Sequence, residues 1–407
     1  MFVFYEEGQE MKGRRINREF IGFTFISGFI SFGYNVVMTV IPLRMVDHGL
    51  SYSKIGSAMS AVAIGLMVIK LMIGYLSDLL GTKKFILCSL AGLGAVCILL
   101  AKADELLTFT VLMAALGIFR GIFLAVNGSY VMEMADGRGY GKIYGAVQSI
   151  SSLLASIGGM ISGLLYQFRE GAFALYLCSF LLIAATIWAA AGLKNKECIR
   201  RERLPILHIF KSINKRILIF CLLIFIQSFV AGPMWNFIIP MYCYNVLLFS
   251  PAKLGILMSM DELISAPTYM LAGRAVDKVN VVKFNVLFLL VTALGGLLLI
   301  KSPSPAVFMT IFLLCSVSVS CTFVGIPKER IGFIRKEQKG FELALISVCG
   351  SLGDSLGNNV LGRVAETYTI DQCMYIFSAS YVAMALLAAI PLLFSASHFA
   401  SPKQENG

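Results

Sequence analysis

Four charged residues stand inside long apolar runs of this sequence: Arg120, Asp261, Glu262 and Asp354. A charge near the centre of a bilayer costs roughly 2.5 kcal/mol or more, so such groups take paired or functional roles. A carboxyl in a low-dielectric span favours its neutral form and regains its charge when a cation approaches. Proton carriage is therefore the chemistry these residues offer. Glu262 is the first candidate carrier, Asp261 and Asp354 are the alternatives, and Arg120 is the counter-charge. Asp261 and Glu262 are adjacent, so on a helix they point about 100° apart. Glu262 shares a face with Ser259, Ser265, Ala266 and Tyr269, which favours it for a cavity. Asp261 is expected near an outer mouth or at a helix contact. Asp354 lies among Gly350, Gly353 and Gly357, where helices can close in around it. Lys70 is a further intramembrane cation, one turn before Gly74.

The elements that position these residues follow from composition and run length. The 407 residues are 58% hydrophobic and only 14% charged, with a mean hydropathy of +0.81. Too few polar side chains exist to cover a water-facing surface, so the chain is read as a membrane protein. Twelve runs are each long enough for a hydrocarbon core of roughly 30 Å. They cover 18–43, 53–77, 83–102, 105–133, 141–166 and 171–193, then 216–244, 252–275, 281–300, 304–327, 341–366 and 371–396. The fold class is an all-α membrane protein of two six-helix bundles. The domains are a 1–17 tail, an 18–193 half, a 194–215 linker, a 216–396 half and a 397–407 tail. The first run is long and has no small-residue cleavage site, so it reads as a spanning helix rather than a removed signal.

Charge sets the orientation. Of the 34 Lys and Arg, seven fall in loops on one side: Arg44, Lys54, Lys102, Arg169, Lys253, Lys301 and Arg363. Lys70 and Arg120 are inside spans, and the other 25 lie on the side of both termini. That bias places the termini, and the linker with its Lys194, Lys196, Arg200, Arg201 and Arg203, in the cytoplasm of a cell-membrane protein. It also accounts for the net charge of +11 without a nucleic-acid partner. None of the three histidines is mid-span, and there is no Walker-type loop, metal-ligand cluster or Ser/His/Asp set. Enzymatic activity, a resident cofactor or metal, and a built-in ATP motor are not expected.

The chain is also repeated. Gly74, Asp78, Gly81, Lys83 and Lys84 form a short polar knot between two apolar runs. It returns as Gly273, Asp277, Lys278, Asn280 and Lys283, with Gly74/Gly273, Asp78/Asp277 and Lys84/Lys283 each 199 residues apart. Gly56 and Gly255 keep the same offset. In this knot the glycine before the acid suits close helix approach. The acid suits capping of a helix start. Gly81 suits a turn with positive φ, for which Asn280 is the next best residue type.

This knot resembles the loop signature between helices 2 and 3 of the major facilitator superfamily, with its second copy between helices 8 and 9. The family has a basic residue directly after the acid, where this chain has Leu79 in the first copy and Lys278 in the second. Arg120, in Leu116-Gly117-Ile118-Phe119-Arg120-Gly121, resembles the arginine motif of helix 4 in proton-coupled members, without its following Gln-Gly. Helix 5 resembles the family's glycine-rich helix but lacks the Gly-Pro pair of drug/proton antiporters, and no sugar-porter signature follows helix 6. The resemblance implies a central cavity lined by Tyr34, Asn35, Arg120, Asn127, Gln227, Trp235, Asn236 and Glu262. It implies conformational gating at Gly74, Asp78, Gly81, Lys83, Lys84, Gly273, Asp277, Lys278 and Lys283. The function it implies is secondary transport of a small organic molecule by alternating access, as proton-coupled efflux by a monomer. A proton-coupled importer or facilitator is the alternative. A non-transporting receptor or lipid-handling protein on the same scaffold is a third reading.

Overall fold

The structure is a computed structural model that describes residues 18–80, 82–135, 140–169, 171–193, 215–302, 304–331 and 339–394. The terminal tails and nearly all of the 194–215 linker lie outside this set, as does Gly81. Among the described residues there are twelve helices. The first six are α1 (Arg18–Asp47), α2 (Tyr52–Leu80), α3 (Thr82–Leu100), α4 (Leu106–Ala135), α5 (Tyr140–Arg169) and α6 (Ala172–Gly192). The seventh, α7, runs as Lys215–Pro233, a π-helical turn Met234–Ile238, and Ile239–Asn245. Then come α8 (Pro251–Val276), α9 (Val281–Ile300), α10 (Pro305–Ile331), α11 (Lys339–Thr367) and α12 (Ile370–Phe394).

Ten of these helices are long and apolar enough to cross a bilayer. With the backbone groups of each span bonded along its own helix between the ends, this is one of the two architectures a bilayer admits. The outward faces are apolar: Leu107, Phe180, Leu314 and Leu386 are each about two-thirds exposed, as a lipid-facing surface requires. The two helices that fall short of the apolar criterion are α8 and α11.

The two halves pack by one scheme. In the first, α1 lies on α5 and α6, α2 on α4, and α3 on α4 and α6. In the second, α7 lies on α11 and α12, α8 on α10, and α9 on α10 and α12. Shifting each helix number by six converts one list into the other. The halves meet through α2 on α11 and α5 on α8, which obey the same rule. The polar helices α8 and α11 are therefore the second half's share of the interface between bundles.

Glycine makes those crossings possible. A Cβ added to Gly56 of α2 would stand 2.2 Å from the Asn358 carbonyl of α11 and 3.1 Å from Gly362 Cα. A Cβ added to Gly163 of α5 would stand 2.5 Å from the Pro251 carbonyl and 2.7 Å from Gly255 Cα of α8. Both crossings lie on the face opposite the repeated knot. Polar side chains tie the halves together on that same face. Asp47, ending α1, accepts hydrogen bonds from Tyr166 of α5 and, at 3.3 Å, from Tyr244 of α7. Asn245 donates to the Tyr52 hydroxyl at 2.9 Å. Ser57 donates to Asn359 Oδ1 at 3.1 Å. Glu366 of α11 accepts at 2.8 Å from the free N–H of Ser53 in the first turn of α2. Ser156 and Ser259 each donate to the other's carbonyl, at 2.9 and 2.7 Å. The halves are thus closed against each other on the face opposite the knot.

Candidate functional site

The knot itself departs from expectation in three ways. Asn280 was expected to take a positive φ. It has φ −66 and ψ 112, and its Oδ1 accepts from the N–H groups of Val282 at 3.0 Å and Lys283 at 3.1 Å. An asparagine at that point finds a stronger role as the N-cap of α9 than as a turn residue. Asp277, expected to cap that helix, is displaced from the task and receives Lys328 Nζ of α10 at 2.6 Å instead. Gly273, expected at a close helix approach, faces open space: a Cβ there would meet nothing within 4 Å. In the first copy, Lys83 donates to the Ala190 carbonyl at 2.8 Å, which satisfies one of the last carbonyls of α6. Lys84, Lys278 and Lys283 are exposed. Gly81, the surroundings of Gly74 and the side chains of Lys70 and Asp78 lie outside what the structure describes.

At mid-depth the seventh helix changes its winding. Pro240 has no N–H to offer the Asn236 carbonyl, and its ring crowds that carbonyl. The chain opens a π turn over Met234–Ile238, closed by the Ile239 N–H on the Met234 carbonyl. Such turns recur at functional sites. This one carries Trp235 and Asn236.

Trp235 reaches α8: its Nε1–H donates to Asp261 Oδ1 at 3.2 Å. Asp261 also accepts from the Ser316 hydroxyl of α10, and it is buried. The indole packs against Phe312 of α10 and Phe377 of α12, with ring centroids 5.7 and 5.8 Å apart. Two cavities border this group. One, of about 90 Å³, is lined by Asn35, Met38, Thr39, Trp235, Asn236, Pro240, Leu254, Met258, Asp261 and Glu262. The other, of about 220 Å³, is lined by Ala231, Gly232, Trp235, Asp261, Glu262, Ser265, Tyr269, Ser316, Val319, Ser320 and Phe323. Both acids border both cavities, although they point about 100° apart, because the cavities lie along the helix on either side of the pair. Asp261 therefore holds a helix contact and a cavity wall at once.

Arg120 lies across the interface on α4. Its guanidinium carbon stands 3.6 Å from the centroid of the Tyr34 ring on α1, a cation–π contact. Arg120 and Glu262 interact electrostatically across the two halves. Asp354 of α11 sits against α7: a Cβ at Gly232 would stand 2.0 Å from its Oδ1. Asn358 donates to Asp354 Oδ1 at 3.0 Å. The glycines beside Asp354 bring the helices together, for a Cβ at Gly353 would stand 2.3 Å from the Phe225 carbonyl and one at Gly357 1.9 Å from the Phe229 carbonyl.

Of the eight residues expected in the cavity, Asn35, Trp235, Asn236 and Glu262 line one or both of these cavities, while Tyr34, Arg120, Asn127 and Gln227 line neither. Gln227 is fully buried inside the second bundle and donates to Thr322 Oγ1 of α10 at 3.0 Å. A buried amide needs a polar partner, and Gln227 finds one in Thr322. Asn127 is buried in α4, with its Oδ1 free of hydrogen bonds among the described residues, and it lines neither of the two cavities. Conversely, Thr39, Ser316, Ser320 and Phe323 line the site without having been singled out. Lone hydroxyls and one phenyl in apolar runs carry no signal until their neighbours are known. Among the described residues no cluster of His, Cys, Asp and Glu is arranged to hold a metal.

Comparison with known proteins agrees with this architecture. The chain is 22% identical over 357 residues to an uncharacterised MFS-type transporter of Methanocaldococcus jannaschii, covering 86% of this chain and 91% of the relative. Its fold is similar to that of a variant of the nucleoside transporter NupG, with TM-score 0.77, 14% identity, and 91% and 98% of the two chains covered. It is also similar to the human organic anion transporter TETRAN, with TM-score 0.68, 14% identity, and 91% and 99% covered. Residues 23–358 match the Major Facilitator Superfamily, and with its twelve helices in two matching bundles the chain belongs to that family of membrane transporters.

Proposed function

We propose that this transporter exports a small organic molecule in exchange for protons, with its termini in the cytoplasm. The observation that carries the reading is the position of Glu262. It stands on a helix at the interface of the halves, borders both cavities, and feels Arg120 from the opposite half. A carboxyl so placed changes surroundings whenever the halves rock, which is what coupling proton movement to alternating access requires. The remaining walls mix aromatic, hydroxyl, amide and aliphatic side chains, which suits an amphipathic organic substrate. Asp261 and Asp354 are the alternative carriers.

The test begins with a thermal-shift panel of metabolites and drugs on the purified protein. A stabilising compound is then loaded into proteoliposomes, and two fluxes are measured across pH ~5.5 to 8, a window spanning a perturbed carboxyl. One is accumulation driven by a proton gradient; the other is exchange without a gradient. Glu262→Gln is expected to keep exchange and lose accumulation. If Glu262→Gln, Asp261→Asn and Asp354→Asn each keep full pH-dependent accumulation, carboxylate coupling is wrong. Accumulation in the direction of the proton gradient would replace efflux with import.

A further inference from the structure

The two cavities lie at different depths along α7 and α8. The first is walled by Asn35 and Leu254, on the side where the halves are closed; the second is walled by Tyr269 and Ser320, toward the knot. Three residues belong to both: Trp235, Asp261 and Glu262. Of these, Trp235 has the bulk to fill the space between two chambers. Its ring is braced by Phe312 and Phe377, and its N–H is held by Asp261. We propose that the Trp235 indole is a movable partition between the two chambers and the positioning residue for Asp261. It decides which chamber reaches the acid pair.

The turn that carries it supplies the means of movement. A π turn holds one residue more than the α-helical turn it replaces. Rewinding Met234–Ile238 toward α geometry, against the crowding of the Asn236 carbonyl by Pro240, would turn Ile239–Asn245 by up to about 100°, and move it by about 1.5 Å, relative to Lys215–Pro233. Trp235, the second residue of the turn, changes its angle to α8 as the winding changes, which loosens its bond to Asp261 while Asp261 keeps Ser316 as a donor. The same motion takes Tyr244 off Asp47 and Asn245 off Tyr52, two of the ties that close the far face. Partition and closure are thus mounted on one helix, and rewinding the turn moves both. The inference depends on the transport reading only for its purpose; its test needs no substrate, so either can fail while the other stands.

Single cysteines at Thr39, in the first chamber, and Ser320, in the second, are reacted with a methanethiosulfonate reagent in the full-length protein in detergent, where both faces are wet. Rates are corrected for the parent's own cysteines. Trp235→Ala is expected to raise the Thr39→Cys rate tenfold or more, and Trp235→Phe, which keeps a ring, is expected to leave it within about twofold. An unchanged Thr39→Cys rate in Trp235→Ala, or an equal rise with Trp235→Phe, overturns the partition. If the alanine variant does not give monodisperse protein, Trp235→Leu is read in its place by the same criteria. For the positioning role, Trp188→Phe leaves Trp235 as the sole indole. In that background Asp261→Leu, which removes the acceptor of the indole N–H, is expected to shift the emission maximum, whereas Asp371→Leu, on α12, is expected not to. Unchanged emission on Asp261→Leu overturns the hold on Asp261.

Discussion

Alanine at Gly56 is expected to open the closed face without unfolding the protein. The added Cβ would stand 2.2 Å from the Asn358 carbonyl, 3.2 Å from its carbon and 3.1 Å from Gly362 Cα. Ordinary contact begins at about 3.4 Å, so α2 and α11 must separate there by about an ångström. The nearest atoms are backbone on both helices, and no flexible side chain can absorb the shift. Overpacking of this kind costs about 1–3 kcal/mol. The cost falls only on the state in which the halves touch, because a conformation with this face open has no neighbour at Gly56. It therefore acts on the conformational equilibrium, and at 1.4 kcal/mol per factor of ten it lowers the closed population about 5- to 150-fold relative to the open one.

The assay is placed at the other crossing, away from the substitution. Ser156 and Ser259 bond each other's backbone there, so cysteines at these two positions should form a disulfide when the face is closed. Gly56→Ala is expected to slow disulfide formation by a similar factor and to leave the thermal midpoint of the fold little changed. By the pseudo-symmetry, Gly163→Ala should do the same when read by cysteines at Ser57 and Asn359. Gly192→Ala, where a Cβ would meet nothing within 4 Å, is the control. Equal cross-linking in Gly56→Ala and Gly192→Ala would refute the reasoning, as would a large loss of thermal stability with unchanged cross-linking.

Asn280→Ala should lower stability by about 1 kcal/mol in chemical denaturation, because two N–H groups lose their cap. Asp277→Asn, by contrast, removes an exposed ion pair worth about 0–1 kcal/mol; its expected signature is a slowed exchange between states, seen in the rate of Ser156–Ser259 disulfide formation after a shift in conditions. Gln227→Leu should lower the stability of the second bundle by about 1 kcal/mol, the worth of one buried hydrogen bond, because Thr322 keeps the Val319 carbonyl as its partner, with ligand affinity unchanged in thermal-shift titration. A large loss of affinity would put Gln227 back in the cavity.

The sequence carried the architecture because the bilayer leaves little choice. Runs of apolar residues fix the spans, and the 199-residue offset of Gly74/Gly273 and Asp78/Asp277 fixes the duplication. The same offset links Gly163 to Gly362, which meets Gly56 across the interface as Gly163 meets Gly255. Local roles were harder to read. Asn280 and Asp277 both suit a helix start, and only geometry shows that the asparagine takes it. Gln227 and Asn236 are both amides on α7, and only one lines the cavity. Nine residues separate them, about 180° around a regular helix, so the 3.6-residue period itself sets them on opposite faces; the resemblance groups them by helix and residue type, not by face.

One feature of the composition acquires a physical reason from the packing. The two helices too polar for the apolar criterion, α8 and α11, are the two that the second half presses against the first. A lipid-facing helix with Asp261 and Glu262, or with Asp354, Asn358 and Asn359, would leave those groups in hydrocarbon. At the interface they find Trp235, Ser316, Ser57 and one another. Of these contacts, Ser57–Asn359 spans the two halves, as do Glu366 on Ser53 and the Ser156–Ser259 pair. Any motion that parts the halves on this face must break them and rewet the groups. A purely apolar interface would be stable in lipid whether the halves met or parted, because lipid tails are as apolar as leucine. Polar helices at the seam make separation conditional on water or substrate entering, and that condition is what distinguishes a carrier from a pore.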